Sequence, residues 1–489
     1  MQETKIPARI ASWLLFASTA LAPLPFGSNQ PTAIAFWCIA LGACLVFAPV
    51  RSLGAGGLAL CGVAALVVAA YALVLHEQLA EHPWLPVATP HPIWREAEAA
   101  LGVTLVPSVS IAHGQTWFEL GRPLVCVLAI ACGFLVGVNR ERARQLIKVI
   151  GWSGAAYAAY GILAHLFDPT RILGHDKEAY IDSLTGTFIN RNTAGAYFGS
   201  CAVVWSLLLW ERIRSDVPGG TFDWRAVATR VFSAPPRKVV VAFAMMFLCL
   251  VAMFMTRSRG AVLLSLLALI VAFTAFFRGD LPRRTGVAAA LAGGGAIALI
   301  ALQIMGAGVN SRFDVQGLAD EGRLETYKAT LRMIADRPWF GTGQGTFASA
   351  FPAYRSSNVS VLGVWDMAHN TLLQIAADMG VPIAALVVFA WVTIFAVLVH
   401  GVHVRQRGLL APVAALSVAV LAVLHSMIDF SLQIPGYSIV ALALIGAGLA
   451  QSFSEKRGKA VGIQVGDYPE PELAIRGVNF GREVTPGAD

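Results

Sequence analysis

Residues 381–399 read VPIAALVVFAWVTIFAVLV, without one charged side chain. A helix of roughly 20 apolar residues crosses the hydrocarbon of a bilayer, and in hydrocarbon the backbone must pair within its own segment. The stretch therefore predicts a transmembrane helix, placed at 379–399 with its flanks. Working outward, comparable stretches recur near 11–26, 32–50, 56–75, 122–138, 146–167, 192–210, 239–256, 260–277, 286–305, 409–428 and 437–453. The first ends at Pro23, Pro25 and Phe26 without a small-residue cleavage site, so it reads as a retained helix rather than a signal peptide. Of the 489 residues, 56% are hydrophobic and only 13% charged, which excludes a soluble multidomain chain. The expectation is an all-α polytopic membrane protein of about 12 transmembrane helices with a long, partly helical periplasmic loop.

Lys and Arg set the orientation. With the N-terminus inside, the inner segments hold 23 of the 36 Lys and Arg, although the outer loops are longer. Both termini are therefore expected in the cytoplasm. The division that follows is 1–305, helices 1–9 with periplasmic loops 76–121 and 168–191; 306–370, a periplasmic loop with lid helices; 371–453, helices 10–12; and 454–489, a cytoplasmic tail. The net charge of +7 follows from the positive-inside bias and anionic headgroups, and no nucleic-acid module is visible. All seven Cys fall in predicted spans and read as small apolar residues, not disulfides or metal ligands.

Long loops usually carry function. In 306–370, Leu324, Tyr327, Leu331 and Ile334 share one helical face, predicting an amphipathic helix stopped by Asp336-Arg337-Pro338. Gly341-Thr-Gly-Gln-Gly345 then predicts a tight turn, since it lacks the Lys and Ser/Thr of a phosphate loop. A second lid helix is expected around Phe347–Tyr354.

His369, followed by Asn370, falls at a helix start just before a span. The positive end of a helix dipole favours a neutral imidazole there, which can take a proton from a sugar hydroxyl. The alternative is a His-Asn pair that only caps the helix. Arg191, between Asn190 and Asn192, and Arg257 and Arg259, flanking Ser258, lie at outer span ends. The positive-inside rule does not favour arginine there. Such residues mark function by default, and their N–H forks suit phosphate oxygens; the alternative is snorkelling to lipid headgroups. His76-Glu77 with Glu81-His82 has the wrong spacing for a zinc helix. No Asp-x-Asp pair or Walker motif occurs, so neither a metal nor a nucleotide cofactor is expected. A transporter or lipid-linked glycan flippase would place ionisable residues at mid-span, whereas here the acidic residues sit mostly in loops.

Gly186-Thr-Phe-Ile-Asn-Arg-Asn-Thr-Ala-Gly-Ala-Tyr197, Thr256-Arg-Ser-Arg-Gly-Ala261, Gly341-Thr-Gly-Gln-Gly-Thr-Phe347 and His369-Asn-Thr-Leu-Leu-Gln374, in this order and spacing, resemble the bacterial O-antigen ligase family within the wider ligase and polymerase superfamily. The resemblance implies glycan transfer from undecaprenyl diphosphate to lipid A-core at the periplasmic face of the inner membrane, inverting and without metal or cofactor. O-antigen polymerases and protein O-oligosaccharyltransferases are its nearest relatives. Carried over by position, His369 is the catalytic base, and Arg191, Arg257 and Arg259 handle diphosphate. Asn192, Tyr197, Asn370 and Gln374 support them. Arg312 and Arg323, at the start of the long loop, are candidates for acceptor binding or for a solvated face. The family often has Glu where this chain has Asp378.

Overall fold

The computed structural model describes residues 5–49, 53–215, 233, 235–280, 321–359, 365–405 and 408–453. Its helices in chain order are α1 (Lys5–Leu21), α2 (Pro31–Phe47), α3 (Ala55–Leu79), α4 (Ile93–Leu101), α5 (His113–Glu119), α6 (Gly121–Gly137), α7 (Arg140–Phe167) and α8 (Arg191–Ser215). There follow α9 (Arg237–Met255), α10 (Arg259–Phe276), α11 (Glu321–Asp336), α12 (Phe347–Ala350), α13 (Thr371–Met379), α14 (Val381–Val404), α15 (Leu410–Ser426) and α16 (Pro435–Ser452). A two-residue hairpin, β1 (Arg171–Ile172) and β2 (His175–Asp176), lies between α7 and α8.

Eight of the apolar stretches form helices long and apolar enough to cross a membrane, and three more form shorter apolar helices. The predicted span at 286–305 and the tail at 454–489 lie outside the described residues. Helix ends differ where local chemistry decides them. α7 starts at Arg140, earlier than predicted, because the Asn139 side chain caps the amides of Glu141 and Arg142. The predicted 379–399 span starts at Val381 because Gly380, at φ +88°, breaks it from α13.

α8 and α16 are buried along almost their whole length, while α3 and α14 lie at the periphery. Small residues allow the central contacts: a Cβ on Gly133 would fall 2.2 Å from the Ala443 carbonyl oxygen, and one on Gly137 2.5 Å from Ala447 Cα. α6 and α16 thus meet backbone to backbone through small residues spaced four apart, the close packing by which helices associate where water provides no drive. All seven Cys are free.

Helix direction sorts the ends. The C-termini of α7, α9 and α15 share one end with the N-termini of α8, α10 and α16, joined there by bonds such as Leu184 N–H to the Met255 carbonyl (3.0 Å). This loop end carries α11 to α13. The opposite end is rich in arginine: Arg144 pairs with Glu211, Arg214 with Asp280, and Arg405 donates to the Phe453 carbonyl.

The loop helix α11 forms, but its inward stripe is Thr326, Ala329, Thr330 and Met333, all fully buried. That is the side opposite Leu324 and Leu331, which are 49% and 53% exposed, while Tyr327 and Ile334 on the same apolar face are half-buried and Ile334 packs against the inner cluster. Small side chains bring the helix close to Phe347, Phe351 and Ala368, so burial here follows fit rather than hydrophobicity. The second helix expected in this loop forms as the short α12, followed by a 3₁₀ turn at Phe351–Ala353.

Candidate active site

His369 ends a loop whose geometry its neighbours impose. Asn370 caps α13, its side-chain oxygen accepting from Leu373 N–H (3.0 Å), and its amide donates to the Met427 carbonyl (2.9 Å). The Gln374 side chain accepts from Ala368 N–H (3.2 Å) and from Gln433 (3.3 Å). The Tyr327 hydroxyl donates to the His369 carbonyl (3.0 Å). Under these ties His369 takes φ +53°, a left-handed conformation that costs a non-glycine residue free energy and is retained where the surroundings over-determine it.

The imidazole stands between Trp365 and Phe430, ring centroids 5.7 and 5.1 Å away, with its side chain 21% exposed. Nδ1 lies 3.4 Å from Oδ1 of Asp429, whose side chain is 1% exposed. Burial pushes the Asp429 carboxyl up, but the contact with His369 and the positive fields of His425, His369 and Arg323 outweigh it and hold the group below the usual carboxylate range. Asp429 was not picked out from sequence. A signal existed: it is the only carboxylate between Asp378 and Glu455, just past the end of an apolar helix.

The arginines occupy adjoining turns. Arg191 opens α8, donates to the Ser183 hydroxyl (3.3 Å) and lies over the Tyr180 ring at 5.1 Å. Arg257, also left-handed at φ +53°, contacts Asp182 at 3.3 Å. The Ser258 hydroxyl donates to the Asn192 side chain (2.8 Å) and caps α10, so Asn192 ties the two arginine-bearing segments together. Arg259 is the first residue of α10. The next residue, Gly260, packs so closely on Ile428 that a Cβ would fall 2.5 Å from its side chain. Arg323 donates to the Ile428 carbonyl (2.9 Å). Ile428, beside Asp429, is therefore the joint between the arginine turns and the histidine loop. Tyr180 spans the same gap: burial raises its hydroxyl pKa, the charge of Asp429 adds to this, and Arg191 and Arg323 oppose it.

Tyr197 is placed elsewhere. It is fully buried on α8 against Phe188, Phe198 and Tyr157, because the second turn of α8 already lies inside the bundle. At that depth its side chain does not touch a glycan directly, and any support it gives the site passes through packing. Arg312 lies outside the described residues. His76 and Glu77 serve the loop: the Glu77 carboxylate accepts from Trp84 and Leu85 N–H (3.3 and 2.9 Å), and His76 stacks on Trp84.

The glycine turn is a clasp. Gly341, Gly343 and Gly345 have φ of +64°, +118° and +72°, and the turn wraps Asp378, whose carboxylate accepts from Gly345 N–H (3.2 Å). Gln78 completes it, donating to the carbonyls of Phe340 and Asp378 (2.6 and 2.8 Å). Burial, with Glu119 adding to it, pushes the Asp378 carboxyl well above its ordinary 3.8 despite these hydrogen bonds. A raised folded pKa gives stability that is fully present below the unfolded value and is lost as pH rises through the folded one. The thermal midpoint of the wild type should therefore fall as pH rises from the ordinary carboxylate range through the Asp378 value. Asp378→Asn should remove that slope and unfold no earlier at alkaline pH. An Asn variant with an unchanged slope in a melting series would show that Asp378 is not its source.

Residues 244–388 match the family model described as O-Antigen ligase, which supports the superfamily that the sequence motifs resemble. The match includes Arg257, Arg259 and His369, and leaves Arg191 and Asp429 outside it. No curated protein matches the chain.

Proposed function

From the O-Antigen ligase family match over residues 244–388 we propose that this membrane protein is an O-antigen ligase. In this reading it is an inverting glycosyltransferase that moves glycan from undecaprenyl diphosphate onto lipid A-core, at the periplasmic face of the bacterial inner membrane with both termini cytoplasmic. The family points to glycosyltransferase-like enzymes; the observation that carries the reading further is the His369–Asp429 pair at 3.4 Å beside the arginine turns.

A carboxylate at Nδ1 holds the proton on that nitrogen and leaves the Nε2 lone pair to accept another. The acceptor sugar hydroxyl attacks the anomeric carbon while Nε2 takes its proton, and Asp429 stabilises the imidazolium that forms. The bond from the anomeric carbon to the diphosphate oxygen breaks, and its electron pair leaves on the diphosphate. Arg191, Arg257 and Arg259 neutralise that charge, so the leaving group needs no proton and the step asks for no metal. One displacement inverts the anomeric centre. The 3.4 Å contact is long for a hydrogen bond, and catalytic contacts of this kind tighten when substrate binds.

The test is transfer by purified protein, with chelator present, from undecaprenyl-diphosphate-linked glycan to lipid A-core. Glycan on lipid A-core is the expected product. Longer lipid-linked chains with lipid A-core untouched would mark a polymerase instead. No covalent product from folded protein would overturn the enzyme reading in favour of transport.

A further inference from the structure

At the arginine-rich end, opposite the His369 site, α7, α8 and α9 flank a half-open cavity of about 250 Å³. Lys148, Arg212, Arg237 and Lys238 line it together with Trp152 and Trp205. Among the described residues none of the four cations forms an ion pair; the neighbouring carboxylate, Glu211, is held by both Nη atoms of Arg144 (3.0 and 2.8 Å). The floor is rigid, since Trp205 donates to the Gly151 carbonyl (2.8 Å) and meets Trp152 edge-on at 5.1 Å. Trp152 is 52% exposed on the outer face of α7, so the cavity opens to whatever surrounds the bundle. From Arg191 to Arg212 on α8 the helix rise is roughly 30 Å, about the thickness of the hydrocarbon. The cavity therefore sits about one hydrocarbon thickness from Arg191, at the depth of the other leaflet's headgroups.

We propose that this cavity binds the phosphodiester headgroup of an anionic phospholipid, with the tryptophans against the start of its acyl chains. A zwitterionic headgroup would bring its own cation among four others and be disfavoured. Isolated snorkelling cations would need no shared recess or fixed tryptophan floor, whereas basic pockets between helices on the positive side suit such lipids. The inference is independent of the reaction catalysed at the other end.

The full chain, purified in detergent, should bind added cardiolipin in native mass spectrometry more tightly than phosphatidylcholine. Lys148→Gln with Arg212→Gln should weaken cardiolipin binding by about 5-fold per cation removed. Because both residues are half-buried, the exposed Lys238→Gln serves as the second variant, expected to lose about 5-fold without loss of folding. Trp152→Ala should weaken the lipid but not the binding of inorganic phosphate. Equal retention of the two lipids, unchanged cardiolipin binding in the folded variants, or inorganic phosphate that binds more tightly than cardiolipin would each overturn the proposal.

Discussion

His369→Ala is expected to lower glycan transfer by about 10²- to 10⁴-fold, the range supplied by a positioned general base, with donor binding retained. Asp429→Asn should cost on the order of 10²-fold or more, by analogy with carboxylates that orient a catalytic imidazole. Its loss should fall on kcat rather than KM, because an amide at that position can hold the ring in the wrong tautomer while leaving the substrate surface intact. The two effects should not add: once the imidazole is gone, Asp429 has nothing to orient. A steady-state assay on the two single variants and the double variant decides this. A double variant that loses the product of the two single losses would show that Asp429 acts apart from His369. Folding must be followed alongside. Asp429 is held below the usual carboxylate range, so its contribution to stability is present above that range and lost as pH falls through the folded value. Near neutral pH Asp429→Asn should thus lower the thermal midpoint, while in acid the two proteins converge.

The fold was readable because its strongest signals were local. A run such as 381–399 has one way to satisfy its backbone in hydrocarbon, so apolar helices appear at every predicted span within the described residues. What sequence could not show was fit. Ala329 and Thr330 carry weak hydrophobic signals, yet they form the inward side of α11 because their size admits Phe347 and Phe351. The same limit applied at the site. His369 and the arginines stood out because cations and imidazole are unusual at apolar span ends. Tyr197 belonged to the same motif but faces the interior, since a motif records neighbours along the chain and not the side of a helix. Asp429 lies 60 residues from His369, and only the turn between α15 and α16 brings it to the imidazole. Tyr180 and Asp182 were missed for a similar reason: they sit in the irregular segment before α8, where no periodicity fixes direction.

Substitution of the arginines should separate their roles by environment. Arg191 and Arg259 are half-buried at helix starts, whereas Arg257 is 58% exposed and shares its charge with Asp182. A preorganised donor aimed at developing charge is worth about 10²- to 10³-fold in kcat where water is excluded, and far less where solvent already screens it. Arg191→Gln and Arg259→Gln should therefore approach that loss, with Arg257→Gln falling short of them. Lysine at 191 or 259 should restore only part of the rate, because an ammonium keeps the charge but not the planar fork that grips two phosphate oxygens. In the proposed displacement negative charge grows on the diphosphate as the glycosidic bond breaks, so the loss should appear mainly in kcat. Arginines that merely hold the ground-state diphosphate would instead raise KM and leave kcat unchanged. Kinetics over a range of donor concentrations distinguish the two, and a pure KM effect in both half-buried positions would remove these residues from leaving-group stabilisation.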